Sequence, residues 1–246
     1  MPVKRTAAPQ PPPDIAAEAA VVRLLNRKLP AAGQIYQVLR EAIISGNFHP
    51  REAISENRIC GMFGISRSPV RIALTRLAED GLIDIFPQRG SFVAPIKLQQ
   101  VREGHFARVA LELAVLREAA KFWSPRESRM AIDSIKAQQR FSKEGDAWSF
   151  HTADEQFHRI FSVCARLEGV WDTIQGVKTH LDRVRHLANP VRGHMDKVIA
   201  EHEAVVAWLD GGKTEEAIES MRQHLDSLHT TLARLKPLHE DYFVED

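Results

Sequence analysis

Cysteine and long apolar runs are both scarce in this chain of 246 residues. Its two cysteines, Cys60 and Cys164, lie far apart in segments of different pattern, so a structural disulfide is not expected. This cysteine usage fits a reducing compartment. The N-terminal residues lack the apolar segment of a signal peptide, and no run approaches the roughly 18 apolar residues of a membrane helix. We therefore expect a cytoplasmic protein without a membrane partner.

Acidic residues are missing from residues 57–78, although they are common elsewhere in the chain. The same stretch carries a local cluster of positive charge, formed by Arg58, Arg67, Arg71 and Arg76. Such a cluster suits a polyanion, because bound phosphates release their condensed counterions. The net charge of the whole chain is only +1, which excludes a general polyanion binder. Nucleic-acid affinity would have to come from this small patch and from its duplication in a dimer.

The order of secondary-structure signals around this cluster indicates a DNA-binding unit. A helix signal over Ser55–Phe63 is followed by a turn at Gly64–Ile65. A second helix signal opens at Ser66, and two short β-like runs then flank the Pro-Gln-Arg-Gly segment at 87–90. Helix, turn, helix and hairpin form the order of a winged helix-turn-helix, whose second helix fits the major groove of DNA.

The second helix of this unit carries arginines at its start. Ser66 suits the N-cap, and Pro69 falls in the first turn, where a missing N–H costs little. Arg67 and Arg71 are four residues apart and therefore project from one face. An ordinary amphipathic helix with solvated arginines is the alternative, which the acid-free run and the adjoining hairpin disfavour. Four apolar side chains are expected to pack the helix down: Val70, Ile72, Leu74 and Leu77.

The chain as a whole is expected to have a mainly α fold in three parts. Six of the 13 prolines lie in the first 30 residues, so residues 1–33 are expected to form a disordered or partly helical arm, with a short helix over Ile15–Leu29. A winged helix-turn-helix domain should occupy residues 34–96 and begin with a helix over Gln34–Ser45. Residues 97–246 should form an all-helical antiparallel bundle, without strands, whose interior can hold a ligand. The predicted helices of the bundle span 98–122, 126–143, 146–164, 167–187, 193–210 and 213–236.

Three of these predicted helices carry polar side chains on an otherwise apolar face. Asp154 and His158 lie one turn apart, which is a metal-chelating spacing. His202 and His224 lie on two antiparallel helices joined at Gly211–Gly212, at nearly the same depth from that turn. One aspartate and three histidines suit a divalent metal ion, Zn²⁺ above all, with Ni²⁺, Mn²⁺ and Fe²⁺ as further candidates.

Each of these polar residues also has a purely structural explanation. A single histidine on an apolar face is more often a core residue bonded to a carbonyl group. Asp154 is also able to cap a helix or to pair with Arg159. The alignment of four such groups nevertheless favours a metal site, because each is costly to bury without a partner.

Arg108 is a candidate for binding an acidic ligand. Its helix places it in line with Val101 and Val115, on the face that would look into the bundle. A buried arginine binds a carboxylate through two parallel hydrogen bonds. The alternative is a salt bridge with Glu112 on the next turn, which Arg108 taken alone would favour.

The sequence resembles GntR-family transcription regulators of the FadR subgroup, which carry an all-helical FCD effector domain. In the N-terminal part the similarity lies in ISENRICGMFGISRSPVRIALTRLAEDGLI and in QRGSFVAP. In the helical part it lies in RVALELAVLREAA, in DEQFH at 154–158, in EH at 201–202 and in MRQHL at 221–225. Together these segments extend over about residues 34 to 235.

This resemblance implies a role in DNA binding for one group of residues. Arg67 and Arg71 would contact guanines or phosphates in the major groove, and Ser68 would donate to a phosphate. Arg89 and Gly90 would place the tip of the wing in the minor groove. Arg58 is a further candidate DNA contact from the cluster of positive charge. The chain departs from the family at Asn57, where relatives often have a basic residue, and Arg58 beside it would point elsewhere.

The resemblance also implies an effector site. Asp154, His158, His202 and His224 match the metal ligands of the family, and Arg108 matches an arginine that grips an acidic effector. Regulators of this kind are homodimers that bind palindromic DNA operators. They usually leave the DNA when a small carboxylate metabolite binds.

The sequence therefore predicts a metabolite-responsive repressor, released from a palindromic operator when a small carboxylate binds at the metal site. Two other functions use the same residues. A metal-dependent enzyme would activate water at the Asp/His₃ site, with Glu155 or Glu201 as the candidate base. A pure metal sensor would release DNA in response to the ion alone.

Overall fold

The computed structural model describes Asn26 and residues 28–245. The predicted arm helix over Ile15–Leu29 therefore lies almost entirely outside the described residues. Among the residues that are described, no helix combines the length and the apolar character needed to span a bilayer.

A winged helix-turn-helix forms the N-terminal part, as predicted. Its three strands make an antiparallel sheet in the order β1-β3-β2, and β2 and β3 form the wing hairpin around residues 87–89. The elements in chain order are α1 (Ala31–Ile44), β1 (Ala53–Ile54), α2 (Glu56–Phe63), α3 (Arg67–Glu79), β2 (Ile83–Phe86) and β3 (Gly90–Val93).

Local sequence explains where the helices of the helix-turn-helix begin and end. The Ser55 side chain caps α2 by accepting a hydrogen bond from the backbone N–H of Arg58, and α2 ends at Gly64 in the left-handed conformation. Ser66 occupies the N-cap position of α3 as expected, although its side chain makes no capping hydrogen bond. Helix α1 begins at Ala31, three residues before the predicted start at 34, because Pro30 already stands at its N-cap.

One apolar residue of α3 does not pack as predicted. Ile72 is 52% exposed. The buried face of α3 follows the spacing i, i+3, i+4 and i+7 from Val70, which places position 72 on the opposite side of the helix. The core side chains of α3 are Val70, Ala73, Leu74 and Leu77, which pack with Ile35, Leu39 and Ile43 of α1.

The C-terminal part is a helical bundle, as predicted, with a core of its own. Its helices are α4 (Leu98–Ala120), α5 (Pro125–Glu144), α6 (Ala147–Cys164), α7 (Glu168–Val177), α8 (Thr179–Ala188), α9 (His194–Asp210), α10 (Thr214–Asp226) and α11 (Leu228–Leu235).

Two of the predicted bundle helices are each divided in the structure. The helix expected over 167–187 breaks at Lys178, where α4 passes so close that a Cβ at Gly104 would lie 2.4 Å from the carbonyl oxygen of Val177. The break also lets the ammonium of Lys178 reach buried carboxylates. The helix expected over 213–236 breaks at Ser227, whose N–H bonds to the carbonyl of His224 three residues back. Neither break residue, Lys178 or Ser227, is a glycine or a proline.

A short parallel strand pair corrects the prediction that no strand follows Leu98. Strand β4 (Ile96–Lys97) leads into α4 and pairs with β5 (Phe243–Val244) near the C-terminus. The pair belongs to a third apolar cluster, which includes Leu181 and Val184 of α8. Helix α8 also contacts α1 of the winged part, where Asp182 lies 3.5 Å from Arg40.

Candidate functional site

The start of α3 presents polar side chains to solvent. Arg67, Ser68 and Arg71 are all exposed, and the two arginines project from one face as the sequence predicts. Nε of Arg71 lies 3.0 Å from Oε2 of Glu56 on α2, and the Arg71 side chain remains 64% exposed. An exposed ion pair of this kind contributes about 0–1 kcal/mol. A phosphate or base edge can therefore displace Glu56 at little cost.

The wing supplies a further exposed cation. Arg89 and Gly90 lie at the hairpin tip, and Gly90 has φ 105°, a conformation that favours glycine. The guanidinium of Arg89 lies over the ring of exposed Phe86, 5.6 Å from its centroid. Arg58 is placed differently from these residues. It is half-buried and lines a cavity between the DNA-binding part and the bundle.

The four predicted metal ligands come together inside the bundle. Asp154 and His158 lie on α6, His202 lies on α9 and His224 lies on α10. All four are buried, and one donor atom from each lies within 4.8 Å of the others. Nε2 of His202 is 3.3 Å from Nε2 of His224 and 3.8 Å from Oδ1 of Asp154, and Nε2 of His158 is 3.9 Å from Oδ2 of Asp154.

Each histidine of the cluster is oriented through its other ring nitrogen. Nδ1 of His202 lies 2.9 Å from Oε1 of Gln138 on α5. Nδ1 of His224 lies 2.8 Å from Oε2 of Glu201. In the same way, Nδ1 of His158 lies 2.6 Å from Oε2 of Glu112 on α4. A hydrogen bond from Nδ1–H to such an oxygen leaves Nε2 unprotonated and able to bind a cation, as in histidine metal sites.

The surroundings keep two of these histidines neutral. Burial, together with the nearby His224 and His158, holds the pKa of His202 well below its ordinary value. Burial lowers the pKa of His224 to about 4, although its hydrogen bond to Glu201 acts in the opposite direction. A neutral imidazole is the form that coordinates a metal ion.

The donor set fits a divalent cation. Ligand atoms about 2.0–2.2 Å from one ion lie about 3–4 Å from one another. The separations His202–His224, His202–Asp154 and His158–Asp154 fall in this range. Three nitrogens and one carboxylate, all buried and mutually oriented, would hold the ion through His158, His202, His224 and Asp154. The ion would supply a positive centre for an anionic ligand.

Two arginines lie beside this donor set. Arg108 forms the salt bridge with Glu112 that was the alternative to ligand binding: its Nε donates to Oε1 of Glu112 at 2.6 Å, and its Nη2 lies 3.0 Å from Nε2 of His158. Burial acts to raise the pKa of Glu112, but Arg108 and His158 outweigh it and the pKa is lowered overall. Arg185 of α8 donates to the carboxylate of Asp154. The site is therefore rich in groups that bind carboxylates.

A small pocket adjoins the cluster. Its volume is about 40 Å³. Asp154 and His224 form one side of it, and Arg108 and Arg185 contribute guanidinium groups. The remaining walls combine apolar side chains with an equal number of polar ones; the apolar ones include Phe150, Leu181, Val198, Leu225 and Leu228, and the polar ones include His105, His151 and Asn189.

Several residues of this site were not predicted from the sequence. Arg185, Gln138 and the orienting roles of Glu112 and Glu201 depend on contacts between helices. The sequence indicates Glu112 only as a salt-bridge partner of Arg108, and Glu201 only as the neighbour of His202 and as a candidate base. The alternative partner of Asp154, Arg159, is exposed and Arg185 takes that place.

A second group of potential ligands lies beside the first, formed by His151, Glu155 and Asp182. The ammonium of Lys178 already sits among them, 2.6 Å from Oε2 of Glu155 and 2.7 Å from Oδ1 of Asp182. Burial acts to raise the pKa of Glu155, but Lys178 and its other neighbours lower it to about 2. This group is an internal ion cluster.

A winged helix-turn-helix joined to an all-helical bundle defines a two-domain DNA-binding regulator. The family of bacterial regulatory proteins called gntR matches residues 31–93, and the FCD domain matches residues 103–227. The chain belongs to the GntR family and carries an FCD domain; it is a DNA-binding transcription regulator, and its relatives are regulators and not enzymes.

Relatives and solved structures agree with this assignment. The chain is 32% identical over 222 residues to the HTH-type transcriptional repressor RspR of Escherichia coli K12, covering 90% of this chain and 97% of that protein. It is 31% identical over 212 residues to an HTH-type regulator of Streptomyces ambofaciens, covering 86% and 89%. McbR/YncC of E. coli shares the fold with a TM-score of 0.73 at 17% identity, covering 84% of this chain and 99% of that one. A GntR regulator from Rhodococcus sp. RHA1 shares it with a TM-score of 0.70 at 23% identity, covering 82% and 97%.

Proposed function

We propose that this regulator is a homodimeric repressor that leaves a palindromic operator when a small carboxylate binds beside a divalent metal ion. The observation that carries the proposal is the orientation of the three buried histidines. Their Nδ1 atoms are each directed at a side-chain oxygen, which leaves three Nε2 atoms facing Asp154. A core built only for packing has no need of four mutually facing donors.

Zinc is the metal that this donor set favours. Three imidazole nitrogens and one carboxylate oxygen match the ligands that Zn²⁺ accepts, and the close spacing suits short bonds of about 2.0–2.2 Å. Ni²⁺, Mn²⁺ and Fe²⁺ accept the same ligands in more open geometries, so they are the competitors to test.

The adjoining pocket favours a small anionic effector. Arg108 and Arg185 offer planar guanidinium groups that suit the two oxygens of a carboxylate. A volume of about 40 Å³ holds roughly three water molecules, which favours acids of a few carbon atoms over fatty acyl or large aromatic acids. An effector of this size would reach the ion and an arginine at the same time.

The exposed arginines support the DNA-binding half of the proposal. Arg67, Ser68 and Arg71 would enter the major groove at the start of α3, and Arg89 with Gly90 would approach the adjacent minor groove. Two copies related by a twofold axis would present this surface to both halves of a palindrome. Repression is supported by the similarity to RspR, which is named a repressor.

Substitution of one candidate ligand, with a matched control, tests the metal site. His202→Gln should lower the affinity for Zn²⁺ by at least about 100-fold, more than the 10–100-fold typical of losing an orienting partner. His229→Gln, at an exposed histidine of α11, should leave the affinity unchanged. Competition with a chromophoric chelator measures both. Equal Zn²⁺ affinity in the two variants would remove the site from the proposal.

The response of DNA binding separates the effector hypothesis from the metal sensor. An operator duplex selected from a random library is labelled, and its affinity is followed by fluorescence anisotropy. Zn²⁺ together with a two- to four-carbon carboxylate should release the duplex, whereas Zn²⁺ alone should not. Release by Zn²⁺ alone, with no added effect of any carboxylate, would identify a metal sensor.

A further inference from the structure

The carboxylate of Asp154 serves two groups in the structure. It belongs to the four facing metal donors, and it also accepts a hydrogen bond from Nη2 of Arg185. The other end of the Arg185 guanidinium extends away from the cluster. Its Nη1 lies 2.6 Å from Oε1 of Glu155 and 3.5 Å from Oδ1 of Asp182. Arg185 thus joins the metal donors to the ion cluster around Lys178.

Asp182 connects these ion pairs to the DNA-binding domain. It is buried on α8, and both its oxygens accept hydrogen bonds of 2.7 Å from Lys178. Its Oδ2 also lies 3.5 Å from Nη2 of Arg40, on α1 of the winged domain. The Arg40 side chain is only 17% exposed. An unbroken series of ion contacts therefore runs from Asp154 through Arg185 and Asp182 to Arg40.

The charges in this series are balanced and enclosed. Three carboxylates (Asp154, Glu155, Asp182) face three cations (Arg40, Lys178, Arg185). A buried charge that loses its partner is costly, so its neighbours rearrange around any change. A divalent cation bound by Asp154 would place positive charge beside the Arg185 guanidinium and weaken its ion pair with Asp154. Occupation of the donor cluster would therefore favour the contacts of Arg185 with Glu155 and Asp182.

The interface between α1 and the bundle is not tightly packed. A cavity of about 620 Å³ lies between the two domains, bounded by α1 and α2 on one side and by Trp148 and His186 of the bundle on the other. Val38 and Ala42 of α1 line this cavity, whereas Arg40 does not and projects from another face of the helix towards Asp182. Helix α1 can therefore shift over α8 without the steric overlap that a tightly packed interface would impose.

We propose that Arg40 is the residue through which the DNA-binding domain senses occupancy of the Asp154 site, with Arg185 and Asp182 as the connecting groups. This inference rests on the proposed metal site. Occupation of the site moves Arg185 relative to Asp154 and thereby changes the strength of the ion pair between Asp182 and Arg40. The position of α1 on α8 changes as a result. The ligand alters DNA affinity because the two positions of α1 differ in free energy.

The test compares Arg40 with another arginine that crosses the same interface. Nη1 of Arg51 donates to the carbonyl oxygen of Asp241 at 2.6 Å, a contact unconnected to Asp154. Full-length wild type, Arg40→Gln, Arg40→Lys and Arg51→Gln are each titrated with ZnCl₂ alone to obtain the dissociation constant. Hydrogen exchange of the α1 amides is then measured for each protein with Zn²⁺ and with a chelator.

Zn²⁺ should change the α1 exchange rates at least about fivefold in wild type, the lower end of typical coupling between sites. Arg51→Gln and the charge-retaining Arg40→Lys should respond similarly, whereas Arg40→Gln should respond less than about twofold while binding Zn²⁺ as tightly as wild type. A full response in Arg40→Gln, or no response in wild type that binds Zn²⁺, overturns the inference and leaves the metal site standing. Failure of wild type to bind Zn²⁺ overturns both.

Discussion

At the scale of single residues, the four candidate metal donors depend on neighbours outside the cluster. Gln138, Glu112 and Glu201 each place an oxygen near one Nδ1, which favours the tautomer that carries its proton on Nδ1. These partners also fix the ring planes. A histidine without such an oxygen would divide its population between two tautomers and several ring orientations.

Glu201→Gln tests this orienting role. The variant weakens the acceptor of the His224 Nδ1 proton, so the affinity for Zn²⁺ should fall by about 10–100-fold. Glu201 is suited to substitution because its side chain is 22% exposed, whereas Glu112 is enclosed between Arg108 and His158. Glu203→Gln on the same helix is the control, since Glu203 bonds only to Gln139 at the surface. Chelator competition should show a loss for the first variant alone; a loss of equal size in both would contradict the orienting role.

Arg71→Ala tests the DNA-binding surface. It should cost about 1–3 kcal/mol of specific operator binding, because one base or phosphate contact is lost per protomer. Arg117→Ala is a matched control, because Arg117 is also exposed and its Nη2 also lies 3.0 Å from a glutamate, Glu215 of α10. Anisotropy with the selected duplex measures both variants. Unchanged affinity for Arg71→Ala would exclude it from the contact surface.

At the scale of elements, amphipathic periodicity and turn residues predicted most of the fold. The Gly64 turn, the wing around residues 87–90 and the helices ending at Gly145 and Gly211 all follow from local sequence. The breaks at Lys178 and Ser227 do not, because they arise from contacts distant in sequence, such as the approach of Gly104 to Val177.

The candidate site divides in the same way between local and long-range information. Asp154, His158, His202 and His224 could be found because each interrupts an apolar stripe. Arg185 could not, because α8 carries charged residues on most of its turns and only the packing of α6 against α8 selects one of them. The interface residues Arg40 and Asp182 were missed for the same reason.

Helix α8 should make the protein sensitive to acid. Burial, and then Arg183 and Lys97, lower the pKa of His180 to about 3, and its Nδ1 accepts a hydrogen bond from the backbone N–H of Lys97. The pKa of a histidine in the unfolded chain is near 6.5. Between about pH 6.5 and 3 the unfolded chain therefore binds a proton at this position that the folded chain does not bind. The stability contributed by neutral His180 is complete above pH 6.5 and is lost as the pH falls.

His180→Gln should therefore blunt the acid response. Between pH 7 and pH 5 the free energy of unfolding of wild type should fall by about 2 kcal/mol more than that of the variant. Glutamine retains an oxygen that can accept from the N–H of Lys97, so the comparison isolates the titrating group. Urea unfolding at the two pH values measures the difference, and parallel losses in both proteins would show that His180 is not its source.

At the scale of the whole molecule, a net charge of +1 has to be reconciled with DNA binding. Residues 97–246 hold 21 basic and 24 acidic residues, so the positive surface for DNA has to come from the winged domain, where Arg67 and Arg71 are exposed at the start of α3 and Arg89 at the wing tip. A single copy with so few contacts would bind weakly. A dimer doubles the contacts and lets the bundle alter the spacing of the two winged domains without touching the DNA.

The salt dependence of operator binding tests this view. If Arg67, Arg71 and Arg89 of two protomers each displace one counterion, the logarithm of the association constant should fall with the logarithm of salt concentration with a slope of roughly −5, against about −3 for one protomer. Arg89→Ala removes one contact per protomer, so its slope should be shallower by about 2 in a dimer and by about 1 in a monomer. Anisotropy titrations at several salt concentrations give both slopes. A wild-type slope near −3 that Arg89→Ala changes by only about 1 would mean that one copy binds the DNA alone.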